Sequence, residues 1–115
     1  MDRMRVLLGS LPPLLRDVLS EALAGQSDMS VLVGAPGAVL PTVAHALSPD
    51  VVLTQASSED AHDLARELGA VGLVAIDPDS RHALVFARGP EAVLLSDVSP
   101  TTIISAIRSI PPASS

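Results

Sequence analysis

Five short apolar runs, each broken off within a residue or two by glycine, serine, aspartate or a Thr-Gln pair, constrain this chain more than any other feature. They are Arg5–Gly9 (RVLLG), Val31–Val33 (VLV), Val51–Leu53 inside Pro49–Gln55 (PDVVLTQ), Gly72–Ile76 (GLVAI) and Ala92–Leu95 (AVLL). None alternates polar with apolar residues. Short, continuous, β-branched-rich runs suit strands buried on both faces of a parallel sheet rather than half-wet antiparallel ones. The run at Val51–Leu53 predicts the central strand, so its carboxyl end, at Thr54 and Gln55, is where a ligand or chemistry would be found in an open α/β sheet.

Between the runs the period changes to that of helices. Pro12 and Pro13 fit a turn and a first helical position, and Leu14, Leu15, Val18, Leu19, Ala22 and Leu23 recur with helical spacing up to Gly25. A second helix is expected from about Pro41 to Leu47, bounded by the Gly34, Pro36, Gly37 turn and by Pro49. Ser57 or Ser58, followed by Glu59 and Asp60, predicts a capped, acid-rich start for a third helix, with Leu64, Ala65 and Leu68 on its core face and Gly69 or Gly72 at its end. A less regular helix is expected from Ser80 to Ala87, broken by Gly89-Pro90. Ser99 and Pro100 start the last, whose Ile103, Ile104, Ala106, Ile107 and Ile110 precede the Pro111-Pro112 stop. Strands alternating with helices through short loops call for an α/β fold. The expected architecture is flavodoxin-like, a five-stranded parallel sheet of order 2-1-3-4-5 with helices on both faces. Residues 1–110 form one domain and 111–115 begin a linker.

Composition removes several classes of function. Phe86 is the one aromatic residue, so there is no platform for stacking bases. The net charge of −6 opposes binding to phosphate backbones. All seven basic residues are Arg, which excludes chemistry that needs an ammonium group or a Schiff base. With no cysteine there are no thiolate metal ligands or disulfides. No signal peptide or long apolar segment is present, and the expectation is a cytoplasmic domain that does not enter a membrane.

Three stretches resemble the receiver domain of two-component response regulators, in its NarL/LuxR-type branch. RVLLGSLPPLLRDVL (Arg5 to Leu19) is similar to the first strand, acidic pair and first helix of such domains. PDVVLTQ is similar to the strand that ends in the phosphorylated aspartate, and VLLSDVSPTTIISAIRSI (Val93 to Ile110) to the fifth strand and last helix. The resemblance spans almost the whole chain, yet it implies a degenerate site. The magnesium-binding acids fall on Ser10 and Leu11, or on Gly9 and Ser10 with a one-residue slip. The phosphoacceptor falls on Gln55, the switch Thr or Ser on Asp77, the conserved Lys on Ser96 and the switch aromatic on Val93. An amide has no anionic oxygen to form an acyl phosphate. A divalent cation would find one carboxylate, Asp77, and no Lys supplies counter-charge.

The resemblance therefore implies an atypical, phosphorylation-independent regulatory and dimerisation module of a transcriptional regulator. It would not be an enzyme and would need no cofactor or metal. It would contact DNA only through a domain beyond Ser115. The alternative is a sensor holding a small polar ligand between Ser10, Gln55 and Asp77. Asp77 has also an ordinary reading, as a cap for the helix expected after Pro78. His45, His62 and His82 fall in separate expected helices without the spacing of a metal site. The Gly34–Gly37 loop lacks a phosphate-cradle pattern. A homodimer surface is expected on the first and last helices, at Leu15, Val18, Ile104 and Ile107. Ile104 is displaced by about 100° from the face of Ile103, Ile107 and Ile110.

Overall fold

The computed structural model describes residues 4–33, 49–69, 71–79, 81–87 and 91–110. The helix expected at 41–47, the glycine loop at 34–37 and the linker at 111–115 lie outside the described residues. Six strands and three helices make up the rest: β1 (Met4–Leu8), α1 (Pro13–Ala24), β2 (Met29–Val33), β3 (Val51–Gln55), α2 (Ser58–Leu68), β4 (Gly72–Ile76), β5 (Ala83–Phe86), β6 (Ala92–Leu95) and α3 (Pro100–Ser109). They form an α/β fold around one mixed sheet of order β2-β1-β3-β4-β5-β6.

The first four strands are parallel and stand in the expected order, with β3 between β1 and β4. Beyond β4 the expectation fails. The segment read as a helix from Ser80 to Ala87 is strand β5, antiparallel to β4, and it separates β4 from the run expected beside it, which is β6. Connection length explains this. Only residues 77–82 join β4 to β5 and only 87–91 join β5 to β6, whereas a parallel crossover needs a dozen or more residues. Hairpins are the connections that such spans permit. Phe86 then buries its ring against the α2 face, where His62 meets it edge-on at 5.2 Å.

The chain leaves β1 for β2 in one direction and β3 for β4 in the other. Right-handed crossovers accordingly put α1 and α2 on opposite faces. Val6, Leu8, Val51, Leu53, Val74 and Ile76 pack under α1 and α3, together with Leu19, Leu23, Ile103 and Ile107. Leu7, Val52, Leu73, Ala75 and Phe86 pack under Ala61, Ala65 and Leu68 of α2. The central run is buried on both faces, with Val51, Val52 and Leu53 all at 0 % exposure.

Local chemistry fixes the helix ends where the sequence places them. Ser57 Oγ accepts from the Asp60 amide at 3.2 Å at the start of α2, and Ser99 Oγ accepts from the Thr102 amide at 3.2 Å at the start of α3. Gly69 closes α2 at φ +66°, a left-handed conformation that side chains disfavour. At the far end of α3, Arg108 donates to both Asp28 carboxylate oxygens, at 3.1 and 3.0 Å, and to Gln26, tying the helix to the turn between α1 and β2. The Arg108 bond is the main cause holding the Asp28 carboxyl below its ordinary value.

Candidate functional site

The direction of strand addition reverses between β1 and β3, which places the fold's natural crevice beyond their carboxyl ends. Hydrogen bonds carry the β1–β3 ladder to its edge. The Gly9 amide donates to the Leu53 carbonyl at 2.8 Å, and the Gln55 amide donates to the Ser10 carbonyl at 2.9 Å. Between them, the Ser10 amide donates to Thr54 Oγ1 at 3.0 Å, and the Thr54 hydroxyl reaches the Ser10 carbonyl at 3.3 Å. Thr54, 2 % exposed, is the one fully buried polar side chain among the described residues. It stitches the two strand tips where a carboxylate cluster would otherwise be sought.

Ser10 is exposed, and Gln55 and Leu11 are half-buried, Leu11 against the α1 face of the core. None of the three brings a charge to the crevice. Asp77, at the end of β4, is turned to local work. Its amide donates to the His82 carbonyl at 2.8 Å, and its Oδ1 accepts from the Asp79 amide at 3.1 Å. The residue caps the β4–β5 turn, and no described helix begins at Pro78 for it to cap. Asp79 repeats the device, accepting from the Arg81 amide at 2.8 Å. That bond is the first cause holding its carboxyl below the ordinary value, with His82 at 3.5 Å contributing.

Ser96 and Val93 do not join this crevice. Their strand stands three places from β3, roughly 14 Å at ordinary strand spacing. Ser96 is exposed and Val93 is 66 % exposed. Asp50 works at the opposite end of the sheet, where its Oδ2 accepts from the Arg5 amide at 2.8 Å and its carbonyl accepts from the Gly72 amide at 3.0 Å.

The structure does form a recess beside the crevice, in a place the sequence reading did not specify. About 290 Å³ opens on the α2 face between the end of β4 and the β5–β6 hairpin, lined by Ala56, Ser58, Asp77, His82, Leu84 and Leu94. Asp77 belongs to it, whereas Ser10 and Gln55 do not line it. His82 and Ser58 were missed as partners because the recess exists only once β5 is recognised as a strand. Among the described residues no three His, Cys, Asp or Glu side chains converge to hold a metal ion. His62 is engaged with the Ser58 carbonyl at 2.7 Å, and His45 lies outside the described residues.

The surface expected on the first and last helices also differs. Ile107 is 0 % and Ile104 8 % exposed, because α3 lies deep enough for both to enter the core. Leu15 packs partly against the same core, and Val18 at 42 % stays exposed beside Leu14. Neither helix therefore presents the four residues as one patch. None of the described helices is long and apolar enough to cross a membrane. No family model matches the chain, and no curated protein or solved structure matches it.

Proposed function

We propose that this chain is a receiver-like regulatory module of flavodoxin-like descent that works without phosphoryl transfer, a dimerising cytoplasmic part of a transcriptional regulator rather than an enzyme. The observation that carries this reading is the crevice beyond β1 and β3. Its strand tips are joined through Thr54 and Ser10, and Gln55 occupies the position at the end of the central strand. A neutral, hydrogen-bonded strand end can transmit no phosphoryl signal, because it offers neither an anionic nucleophile nor a set of oxygens for a divalent cation. The β4–β5–β6 meander departs from the all-parallel sheet that the resemblance implies, so the family's signalling surface does not carry over to β5, β6 and α3.

A second reading has its own observation. The recess beside Asp77 and His82 offers a carboxylate, an imidazole and a hydroxyl against apolar walls, the composition of a small-molecule site. Thermal unfolding separates the two. A regulatory dimer gains stability as protein concentration rises, without additives. A sensor gains it from a small polar metabolite at fixed protein concentration. A melting temperature indifferent to protein concentration would contradict the dimer reading.

A further inference from the structure

Ala75, Leu84 and Leu94 stand side by side on the α2 face, paired in register across β4, β5 and β6. α2 packs over β4 and β5, and Leu94 beyond it is 63 % exposed. A methyl group at Ala75 beside two leucines leaves a hollow, which is the recess of about 290 Å³. It opens at the carboxyl ends of β4 and β6, the edge of an α/β sheet where ligands sit.

The polar groups of the recess remain open to a ligand. Asp77 Oδ1 accepts from the Asp79 amide at 3.1 Å, and no hydrogen bond or ion pair among the described residues engages Oδ2. His82 turns Nδ1 toward Asp79 Oδ2 at 3.5 Å, which leaves Nε2 as an acceptor in the tautomer that this contact favours. Ser58 Oγ, in the first turn of α2, has no protein partner among the described residues. No described Arg lines the recess, and the chain contains no Lys, so the Asp77 carboxylate has no counter-charge there.

We infer that this recess binds a small organic monocation, a primary ammonium group on a short apolar chain. The ammonium would sit against Asp77 with His82 and Ser58 accepting beside it, and the chain would lie along Leu84 and Leu94. The inference rests on the second reading above and names its ligand class. An ammonium group carries three N–H donors and no acceptor, which suits three acceptors of which one is anionic.

The same surroundings oppose the other classes. An anion would meet the Asp77 carboxylate, and the positive end of α2 that could hold it already carries Glu59 and Asp60 in its first turn, with Ser57 Oγ on the Asp60 amide. A divalent ion needs several convergent ligands, and among the described residues no three such side chains meet. A neutral molecule would cover the carboxylate without balancing its charge, at a cost in desolvation. The net charge of −6 draws cations toward the chain as a whole.

Isoamylamine, isoamyl alcohol and isovalerate share a branched apolar chain and differ in charge, so they serve as probes. At neutral pH, millimolar isoamylamine should shift the backbone amide resonances of Ser58, Asp77, His82 and Leu84 in the 115-residue chain, and the shifts should saturate. The alcohol and isovalerate should bind more weakly or not at all. Asp77→Asn keeps an oxygen for the Asp79 amide, so the turn survives, and loss of the charge should weaken amine binding about tenfold or more. Alcohol or isovalerate binding as tightly as the amine at these residues, or amine binding that Asp77→Asn leaves unchanged, overturns the cation while a small-molecule sensor stands. No saturable shift at the recess with any of the three probes overturns both.

Discussion

Ser10 and Thr54 hold each other across the tips of β1 and β3, the Ser10 amide donating to Thr54 Oγ1 at 3.0 Å and the Thr54 hydroxyl returning toward the Ser10 carbonyl at 3.3 Å. The Ser10 carbonyl keeps a second donor in the Gln55 amide, whereas the Ser10 amide depends on Thr54 Oγ1 as its acceptor. Thr54→Val preserves shape and removes the oxygen, so it should destabilise the fold by about 1 kcal/mol through the orphaned amide. Thr54→Ser retains the oxygen and should restore the amide's partner. Urea denaturation of the pair checks this. A loss in Thr54→Ser with none in Thr54→Val would mean that the methyl group, not the hydroxyl, matters.

Gly72 opens β4 directly under the end of α3. A Cβ built there would stand 2.7 Å from Ile110 Cγ2 and 3.3 Å from the Asp50 carbonyl oxygen. Ile110 is 1 % exposed and β-branched, so it has little freedom to retreat. Gly72→Ala should therefore cost about 1–3 kcal/mol by overpacking, read from the denaturation midpoint.

The last helix gives a contrast between core and surface. Ile107, fully buried, should lose about 2–5 kcal/mol on substitution by Ala, whereas Leu14→Ala, at a side chain 79 % exposed, should stay within about 0.5 kcal/mol. If the Ile107 variant instead kept full monomer stability and lost only self-association, α3 would be an interface helix.

Asp28 and Arg108 form an exposed pair, 3.0 Å apart at their closest. The folded-state pKa of Asp28 is depressed, with the Arg108 hydrogen bond as first cause, so its contribution is present above the ordinary value of 3.8 and is lost as pH falls through the lower folded value. Asp28→Asn should lower the melting temperature slightly at neutral pH, less so in high salt, and not at all once the carboxyl is protonated. A melting-temperature difference that persisted unchanged into acid would assign the effect to something other than charge.

Much of the fold is legible in the residues. Val51–Leu53 reads as a doubly buried strand because nothing in it needs water, and Ser57, Ser99 and Pro100 announce helix starts by their chemistry. The order of β1 to β4 follows from crossovers long enough to be parallel. Ala83–Phe86 was misread because a four-residue apolar run carries no period that separates helix from strand. Connection length gave no better signal, since the span from Ile76 to Ala92 is long enough for a parallel crossover until Ala83–Phe86 is known to be a strand. That error displaced Ser96 and Val93 from the crevice and hid the recess beside His82. Ile104 was placed outside because helical phase was judged without knowing how deeply α3 settles on the sheet. Gln55 fared better, since the end of a central strand is set by where the apolar run stops.

The most direct measurement is intact mass after incubation of the chain with acetyl phosphate and Mg²⁺. With Gln55 at the end of β3 and no carboxylate at Ser10 or Leu11, no acid-labile phosphoryl adduct should form, and Mg²⁺ alone should leave thermal stability unchanged. A stoichiometric adduct, mapped to Asp77 or any other carboxylate at the strand ends, would contradict a module that has given up phosphoryl transfer.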